Sequence, residues 1–191
     1  MATLKGTKTE QNLLKSFAGE SQARNRYEFF ASVAKKEGYE QIAQIFQITA
    51  NQEKEHAKTM FKYLEGRELE ITAAYPAGKI GTTIENLKAA AAGEKEEWYE
   101  LYPAFAKTAE EEGFPEIAAT YTMICIAEAE HERRYLKLLA NIEKNEVFSK
   151  PAKVKWYCSN CGCIVEGTDA PDLCPACKHP KAYFQLQLDN F

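Results

Sequence analysis

The sequence predicts a mainly helical protein, a four-helix bundle with a small metal-binding module at the C-terminal end. Four long amphipathic stretches fill most of the chain. The first 152 residues contain 24 Glu and no Asp, whereas all three Asp lie in the last 39 residues. Glu tolerates helix interiors while Asp prefers caps and turns, so this division separates a helical body from a loop-rich tail. Five of the six cysteines fall between Cys158 and Cys177.

The helix boundaries follow from capping signals. We predict helices over residues 9–36, 39–64, 82–112 and 115 to about 144. Gly38 follows the first helix, as expected for a C-terminal cap. Thr82 with Glu85 three residues later forms a capping-box pattern, and Pro115 is a favoured first helical residue. Helix count and length therefore indicate a bundle.

The connections between the helices predict the topology. Gly38 and Gly113 allow only tight turns, so the first and second helices, and the third and fourth, form antiparallel pairs. Residues 65–81 are 17 residues long and can reach about 55 Å, enough to return along a helix of the bundle. One long crossover between the second and third helices is the ferritin-like arrangement.

The two helical pairs also look like a duplication. Ala18-Gly19-Glu20 recurs as Ala92-Gly93-Glu94, 74 residues later. Glu53 and His56 match Glu128 and His131, 75 residues later. The residues that recur are thus ionisable residues together with turn and core positions.

The paired Glu-x-x-His motifs predict a metal centre. Glu53 with His56, and Glu128 with His131, each place a carboxylate and an imidazole on one helix face. Adding Glu20 and Glu94 completes the ligand pattern of carboxylate-bridged di-iron bundles. A single Glu-x-x-His on a Glu-rich helix is usually a solvated face, but two copies at equivalent positions of a duplicated pair favour a buried dimetal site. Four buried carboxylates would be prohibitively costly without a cation.

Three further residues are candidates near this site. Glu97 lies three residues after Glu94, whereas the matching residue of the first helix is Ala23. Its two interpretations are a seventh metal ligand and a surface glutamate. Tyr27 and Tyr102 either donate hydrogen bonds to a ligand or to bound peroxide, or pack in the core with their hydroxyls satisfied elsewhere. Cys125 is interpreted as a small buried hydrophobic residue.

An irregularity is predicted in the third helix. The repeat offset is 74 at Glu94 but 75 at Tyr102, which matches Tyr27, so one extra residue lies between Glu94 and Tyr102. Pro103 follows and has no N–H to donate. A continuing helix absorbs one extra residue most simply as a π-bulge, so we expect a break in the α-helical pattern before Leu101.

The tail carries two Cys-x-x-Cys pairs, a strong signal for a four-thiolate metal site. Cys158 and Cys161 form the first pair, and Cys174 and Cys177 the second. Zinc ribbons and single-iron rubredoxin sites share this spacing, so the pattern does not choose the metal. Cys163 is expected to be a bystander, and His179 lies either near the metal or at the surface.

Together these motifs resemble the rubrerythrin family over the whole chain, from residues 17–27 (FAGESQARNRY) to the cysteine pairs. The resemblance implies a ferritin-like bundle over residues 1–146, a linker over 147–152 and a rubredoxin-like domain over 153–191. It implies the diiron ligands Glu20, Glu53, His56, Glu94, Glu97, Glu128 and His131, with Glu53 and Glu128 bridging and with Glu97 and His56 exchanging as the redox state changes. It also implies one iron on Cys158, Cys161, Cys174 and Cys177. Lys178 departs from the glycine usual at that position, which puts the local hydrogen bonding and the iron potential in question.

The resemblance implies reduction of hydrogen peroxide to water, with electrons from NAD(P)H through a separate donor protein, and a head-to-tail homodimer. Iron oxidation and storage, and a bundle with a structural zinc ribbon that binds a partner, are the alternatives. The formal charge of −4 is spread without long blocks of one sign, so no nucleic-acid or membrane partner is expected. Without an apolar leader or span, a cytoplasmic location is expected.

Overall fold

The structure is a computed structural model, which describes residues 3–189. Five α-helices and one π-helical segment form the body, and three short strands form the C-terminal module. The helices are α1 (Lys8–Lys36), α2 (Glu40–Tyr63), α3 (Thr83–Glu96), α4 (Tyr102–Glu111) and α5 (Pro115–Glu143), with the π segment at Glu97–Leu101 between α3 and α4. The strands are β1 (Ser149–Cys158), β2 (Ile164–Asp169) and β3 (Phe184–Leu186).

The bundle has the predicted architecture of two helical pairs joined by a long crossover. Gly38 and Gly113 adopt positive φ values of 83° and 85° at the two tight turns, a conformation that favours glycine. Thr82 and Glu85 form the predicted capping box. The irregular segment between α2 and α3 connects the pairs. The predicted mainly helical, ferritin-like fold is therefore confirmed.

Two apolar clusters fill the bundle. One surrounds Phe46 and Tyr135, and the other surrounds Leu13 and Tyr121. The first contains Ala23 and Tyr27 of α1 and the second contains Leu13 of the same helix, so Glu20 lies along α1 between the two clusters. Burial of these apolar side chains, each worth about 1.5–3 kcal/mol for the larger ones, holds the helices around the residues of the predicted metal site.

The third predicted helix is interrupted as expected. Residues Glu97–Leu101 form a π-helix, and the N–H of Tyr102 donates to the carbonyl of Glu97, five residues earlier. Pro103 cannot donate to the carbonyl of Tyr99. The predicted π-bulge is confirmed, and it begins at Glu97, the residue that breaks the symmetry of the repeat.

The C-terminal module is a three-stranded antiparallel sheet in the order β2-β1-β3. β1 begins at Ser149, inside the segment predicted as a linker. Just before β1, the ring of Phe148 stacks on Tyr39 at the start of α2, with ring centroids 6.3 Å apart. Within residues 3–189, no helix is both long and apolar enough to cross a bilayer.

Candidate metal centres

The bundle brings four glutamates and two histidines together in its interior. They form two groups of four, and within each group the candidate ligand atoms lie within 4.8 Å of one another. The first group is Glu20, Glu53, His56 and Glu128, and the second is Glu53, Glu94, Glu128 and His131. Glu53 and Glu128 belong to both groups, so the arrangement has two centres joined by two shared carboxylates.

The shared carboxylates divide their oxygens between the two centres. Glu128 directs Oε1 to His56 Nδ1 and Oε2 to His131 Nδ1, at 2.7 Å in each case. Glu53 directs Oε2 to His56 Nδ1 at 2.9 Å and Oε1 to His131 Nδ1 at 3.0 Å. At each centre, Nδ1 of one histidine and one oxygen from each shared carboxylate therefore lie close together, as the ligands of one cation do.

Unpaired polar atoms support the fit of this cluster to cations. The close contacts of Glu128, and of Glu53 Oε1, to the imidazole nitrogens do not have hydrogen-bond geometry. Six buried atoms of the cluster therefore have no hydrogen-bond partner: Glu20 Oε2, Glu53 Oε1, Glu94 Oε2, both carboxylate oxygens of Glu128 and Nδ1 of His131. Buried polar atoms are normally paired, and unpaired carboxylate oxygens are especially costly. All six atoms belong to the cluster, so two bound cations would satisfy them together.

The pKa values of the cluster residues reflect an excess of negative charge. Burial and the nearby Glu53 raise the pKa of Glu94 to about 8. Burial lowers the pKa of His131, but Glu128 and Glu53 outweigh it and raise this pKa to about 12. The same balance raises the pKa of His56 to about 10. Without a metal the cluster retains protons near neutral pH, and cations would replace them.

Two tyrosines link the repeats through hydrogen bonds to the cluster. Tyr27 of α1 donates to Glu94 Oε1 on α3 at 2.6 Å, and Tyr102 of α4 donates to Glu20 Oε1 on α1 at 2.5 Å. Of the two sequence interpretations, donation to a cluster carboxylate is the one observed. Burial, followed by the charge of the bonded glutamate, raises the pKa of each tyrosine well above its ordinary value. Both hydroxyls therefore stay protonated and act as donors.

Gln52 is a contributor that sequence reasoning missed. Its Oε1 lies 3.0 Å from His131 Nε2 and also accepts from the guanidinium of Arg134 at 3.1 Å. Arg134 in turn donates to Thr49 at 2.8 Å. An acceptor at Nε2 keeps a proton on that nitrogen, so Nδ1 is the nitrogen that is available to a cation in the cluster.

Glu97 lies beside the cluster rather than within it. It belongs to neither group of converging ligand atoms. Instead, it lines a cavity of about 390 Å³ together with Tyr102 and Gly19. Burial and the charges of Glu94 and Glu128 raise its pKa, while Arg26 opposes this shift. The structure thus has His56 within the cluster and Glu97 at its border.

The four predicted cysteines also converge in the C-terminal module. Their sulfur atoms form one group within 4.8 Å, with Sγ separations of 3.8 Å for Cys158–Cys177 and 3.6 Å for Cys161–Cys174. Sulfurs bound at about 2.3 Å around a tetrahedral metal are about 3.8 Å apart. The geometry therefore fits a four-thiolate metal site. Cys125 and Cys163 lie outside this group.

Lys178 and His179 lie next to the last cysteine of the four-cysteine group. Lys178 adopts a φ of +61°, so the turn keeps its left-handed conformation without glycine. The His179 backbone N–H lowers the pKa of Cys177 to about 6. The His179 side chain is half-buried, with Nδ1 3.2 Å from the Asn160 amide nitrogen and 3.3 Å from the Cys177 carbonyl oxygen.

Fold and sites together define a class: ferritin-like bundles with a candidate diiron centre, joined to a rubredoxin-like domain with a four-cysteine metal site. Comparison with known proteins makes the class specific. The family model described as Rubrerythrin matches residues 11–139, and the one described as Rubrerythrin, rubredoxin-like domain matches residues 156–185. The chain belongs to the rubrerythrin family.

Individual relatives agree over nearly the full length. The chain is 64% identical to rubrerythrin of Porphyromonas gingivalis, covering 99% of this chain and 94% of the relative. It is 56% identical to rubrerythrin of Nitratidesulfovibrio vulgaris, covering 97% of each. Among solved structures, fully reduced, all-ferrous nigerythrin matches with a TM-score of 0.64 and 31% identity, covering 97% of this chain and 92% of that one.

Proposed function

We propose that the protein reduces hydrogen peroxide to water in the cytoplasm and thereby protects against oxidative stress. The observation that carries this proposal is the presence of a candidate diiron cluster and a four-thiolate site in one chain. Peroxide reduction consumes two electrons and two protons per molecule, so a protein that combines an electron-relay site with a two-metal cluster suits it. The electrons would come from NAD(P)H through a separate donor protein, either a reductase or a rubredoxin.

The metal ligands of this proposal are the cluster residues together with Glu97. They are Glu20, Glu53, His56, Glu94, Glu97, Glu128 and His131 for two irons, and Cys158, Cys161, Cys174 and Cys177 for a third. When bound, a reduced iron pair supplies the two electrons that break an O–O bond. The two oxygens of each shared carboxylate support bridging by Glu53 and Glu128. Glu97 at the border supports its exchange with His56.

The residues around the cluster have distinct roles in this reaction. Tyr27 and Tyr102 hold Glu94 and Glu20 in place through hydroxyls that stay protonated. Glu97 is a carboxyl group at the border of the cluster that also lines the cavity, and its raised pKa lets it hold a proton when it binds no metal. It is therefore the best placed proton carrier between the cavity and the oxygens of peroxide.

The electron path is proposed to cross between the subunits of a head-to-tail homodimer. Within one chain the C-terminal module contacts the bundle at the α1–α2 turn, where a Cβ at Gly38 would lie 3.9 Å from Ala182. From there α2 rises by about 20 Å before reaching Glu53, at roughly 1.5 Å per residue. Its own four-cysteine site is thus remote from the cluster, whereas a partner chain in the reverse orientation brings its site closer.

Peroxide turnover by the iron-loaded protein tests this function. Reduced protein mixed with hydrogen peroxide should be reoxidised rapidly and repeatedly, and without building an iron core. Accumulation of iron far above three atoms per chain would instead indicate storage. A colourless C-terminal site, lacking thiolate-to-iron charge transfer, would instead favour the zinc-ribbon alternative. The Glu128→Ala variant is the matched control, because it removes a carboxylate shared by both centres and leaves the four-cysteine site unchanged.

The crossing between subunits has its own test. One chain lacks both Cys-x-x-Cys pairs and the other lacks Glu53 and Glu128, so each homodimer is inactive in donor-driven turnover. Mixing the two should restore activity in proportion to the heterodimer formed. Verified heterodimers without activity would contradict the crossed path.

A further inference from the structure

The cavity beside Glu97 is larger than hydrogen peroxide requires. It measures about 390 Å³ and lies between α1 and the π segment with α4, beneath residues 72–76 of the crossover. A water molecule occupies about 30 Å³ of liquid, and hydrogen peroxide roughly twice that. The cavity is therefore several times larger than one molecule of hydrogen peroxide. Pockets of about 300–1,000 Å³ are typical of organic ligands.

Two glycines inside helices keep this cavity open. Gly19 on α1 and Gly93 on α3 both line it, and glycine weakens a helix interior. A Cβ built at Gly19 would lie 3.6 Å from Tyr75 Cε1 and 4.0 Å from Glu97 Oε1, and one at Gly93 would lie 3.6 Å from Arg26 Nη2. These are ordinary contact distances, so close packing does not exclude a side chain at either residue. A longer side chain at either residue would instead fill part of the cavity.

The lining is suited to a neutral ligand with an apolar group. Leu101, Phe105 and Pro76 supply apolar surface. Charges of both signs, Arg26 and Glu97 among them, also line the cavity, so it does not select an anion or a cation. Tyr102 lines the same cavity and bonds to Glu20 of the cluster, which ties the space directly to the proposed reaction centre.

We infer that this cavity binds the organic group of alkyl and aryl hydroperoxides and that the protein reduces them as well as hydrogen peroxide. The inference rests on the proposed peroxidase function. Each ROOH would take two electrons and two protons; its O–O bond breaks, two O–H bonds form, and the products are ROH and water. The electrons are those that the donor protein already supplies through the four-thiolate site.

The experiment compares cumene hydroperoxide with hydrogen peroxide in the iron-loaded protein. Gly19→Leu directs a side chain into the cavity, and leucine is a strong helix-forming residue. Ala74→Phe enters from the exposed crossover segment, where no helix has to be preserved. Ala89→Leu is the matched control, because it adds a side chain on the exposed surface of α3, outside this cavity. The measurement is the ratio of kcat/KM for the two peroxides.

The unmodified protein and Ala89→Leu should reduce both peroxides with the same ratio. In Gly19→Leu and Ala74→Phe, kcat/KM for cumene hydroperoxide divided by kcat/KM for hydrogen peroxide should fall at least about tenfold, a typical effect of lost pocket space. Calorimetry with the product alcohol, 2-phenyl-2-propanol, should show binding to the resting oxidised protein and to Ala89→Leu, with weaker binding to the filled variants.

The outcomes separate the inference from the proposed function. Turnover of hydrogen peroxide without turnover of cumene hydroperoxide, or a ratio unchanged in both filled variants, would overturn the inference alone. Absence of alcohol binding to the unmodified protein would do the same. Failure to reduce either peroxide would remove the proposed function and this inference with it.

Discussion

Replacing Gln52 by leucine should loosen the metal centre that contains His131. Leucine keeps similar bulk but removes the acceptor 3.0 Å from His131 Nε2. The imidazole proton can then move to Nδ1, the nitrogen that faces Glu128 and Glu53 at 2.7 and 3.0 Å, where it competes with a cation. Loss of such an outer hydrogen bond typically costs about 10–100-fold in metal affinity. This corresponds to about 1.4–2.7 kcal/mol.

Chelator competition followed by metal analysis measures this effect. One of the two cluster irons should leave Gln52→Leu at a lower chelator concentration than in the unmodified protein. The four-thiolate iron is an internal control, since its colour should be unchanged. Gln47→Leu, at an exposed residue earlier on α2, is the matched variant. Equal iron retention in the two variants would refute the role assigned to Gln52.

Three other outcomes follow from the structure. Glu97→Ala should keep the four-thiolate colour while slowing peroxide turnover, whereas Glu128→Ala should lose both cluster metals; normal turnover without Glu97 would exclude it from the mechanism. Lys178→Gly should raise the unfolding free energy by roughly 0.5–1 kcal/mol, because a side chain at φ +61° is strained; denaturant titration tests this, and unchanged or reduced stability would argue against strain. The hydrogen bond from Arg67 lowers the pKa of Glu10, so its stabilisation is present above the ordinary glutamate pKa and is lost as pH falls through the lowered value. Glu10→Gln should therefore lower Tm at pH 7, and this difference should shrink in acid; a difference independent of pH would count against the ion pair.

Local spacing explains what could be predicted from the sequence. Glu53 and His56 lie on one turn of one helix, so the helical period alone predicts that their side chains point to the same face. The tyrosines were ambiguous because a hydroxyl's partner depends on how two helices face each other. Gln52 left no signal, since its contact to His131 joins α2 to α5 and the repeat has Ala127 at the matching residue. Contacts across helices are decided by packing, which single-helix patterns do not contain.

The π segment reconciles the extra residue with the symmetry of the cluster. In α1, Tyr27 follows Glu20 by seven residues, nearly two full turns, so both side chains point the same way. In the second repeat Tyr102 follows Glu94 by eight residues, and a regular α-helix would rotate its hydroxyl by about 100° away. The wider turn of Glu97–Leu101 absorbs that rotation, and Tyr102 still reaches Glu20. The insertion thus preserves the reciprocal tyrosine–glutamate pairs, and the wider turn begins at Glu97, where the first repeat has Ala23.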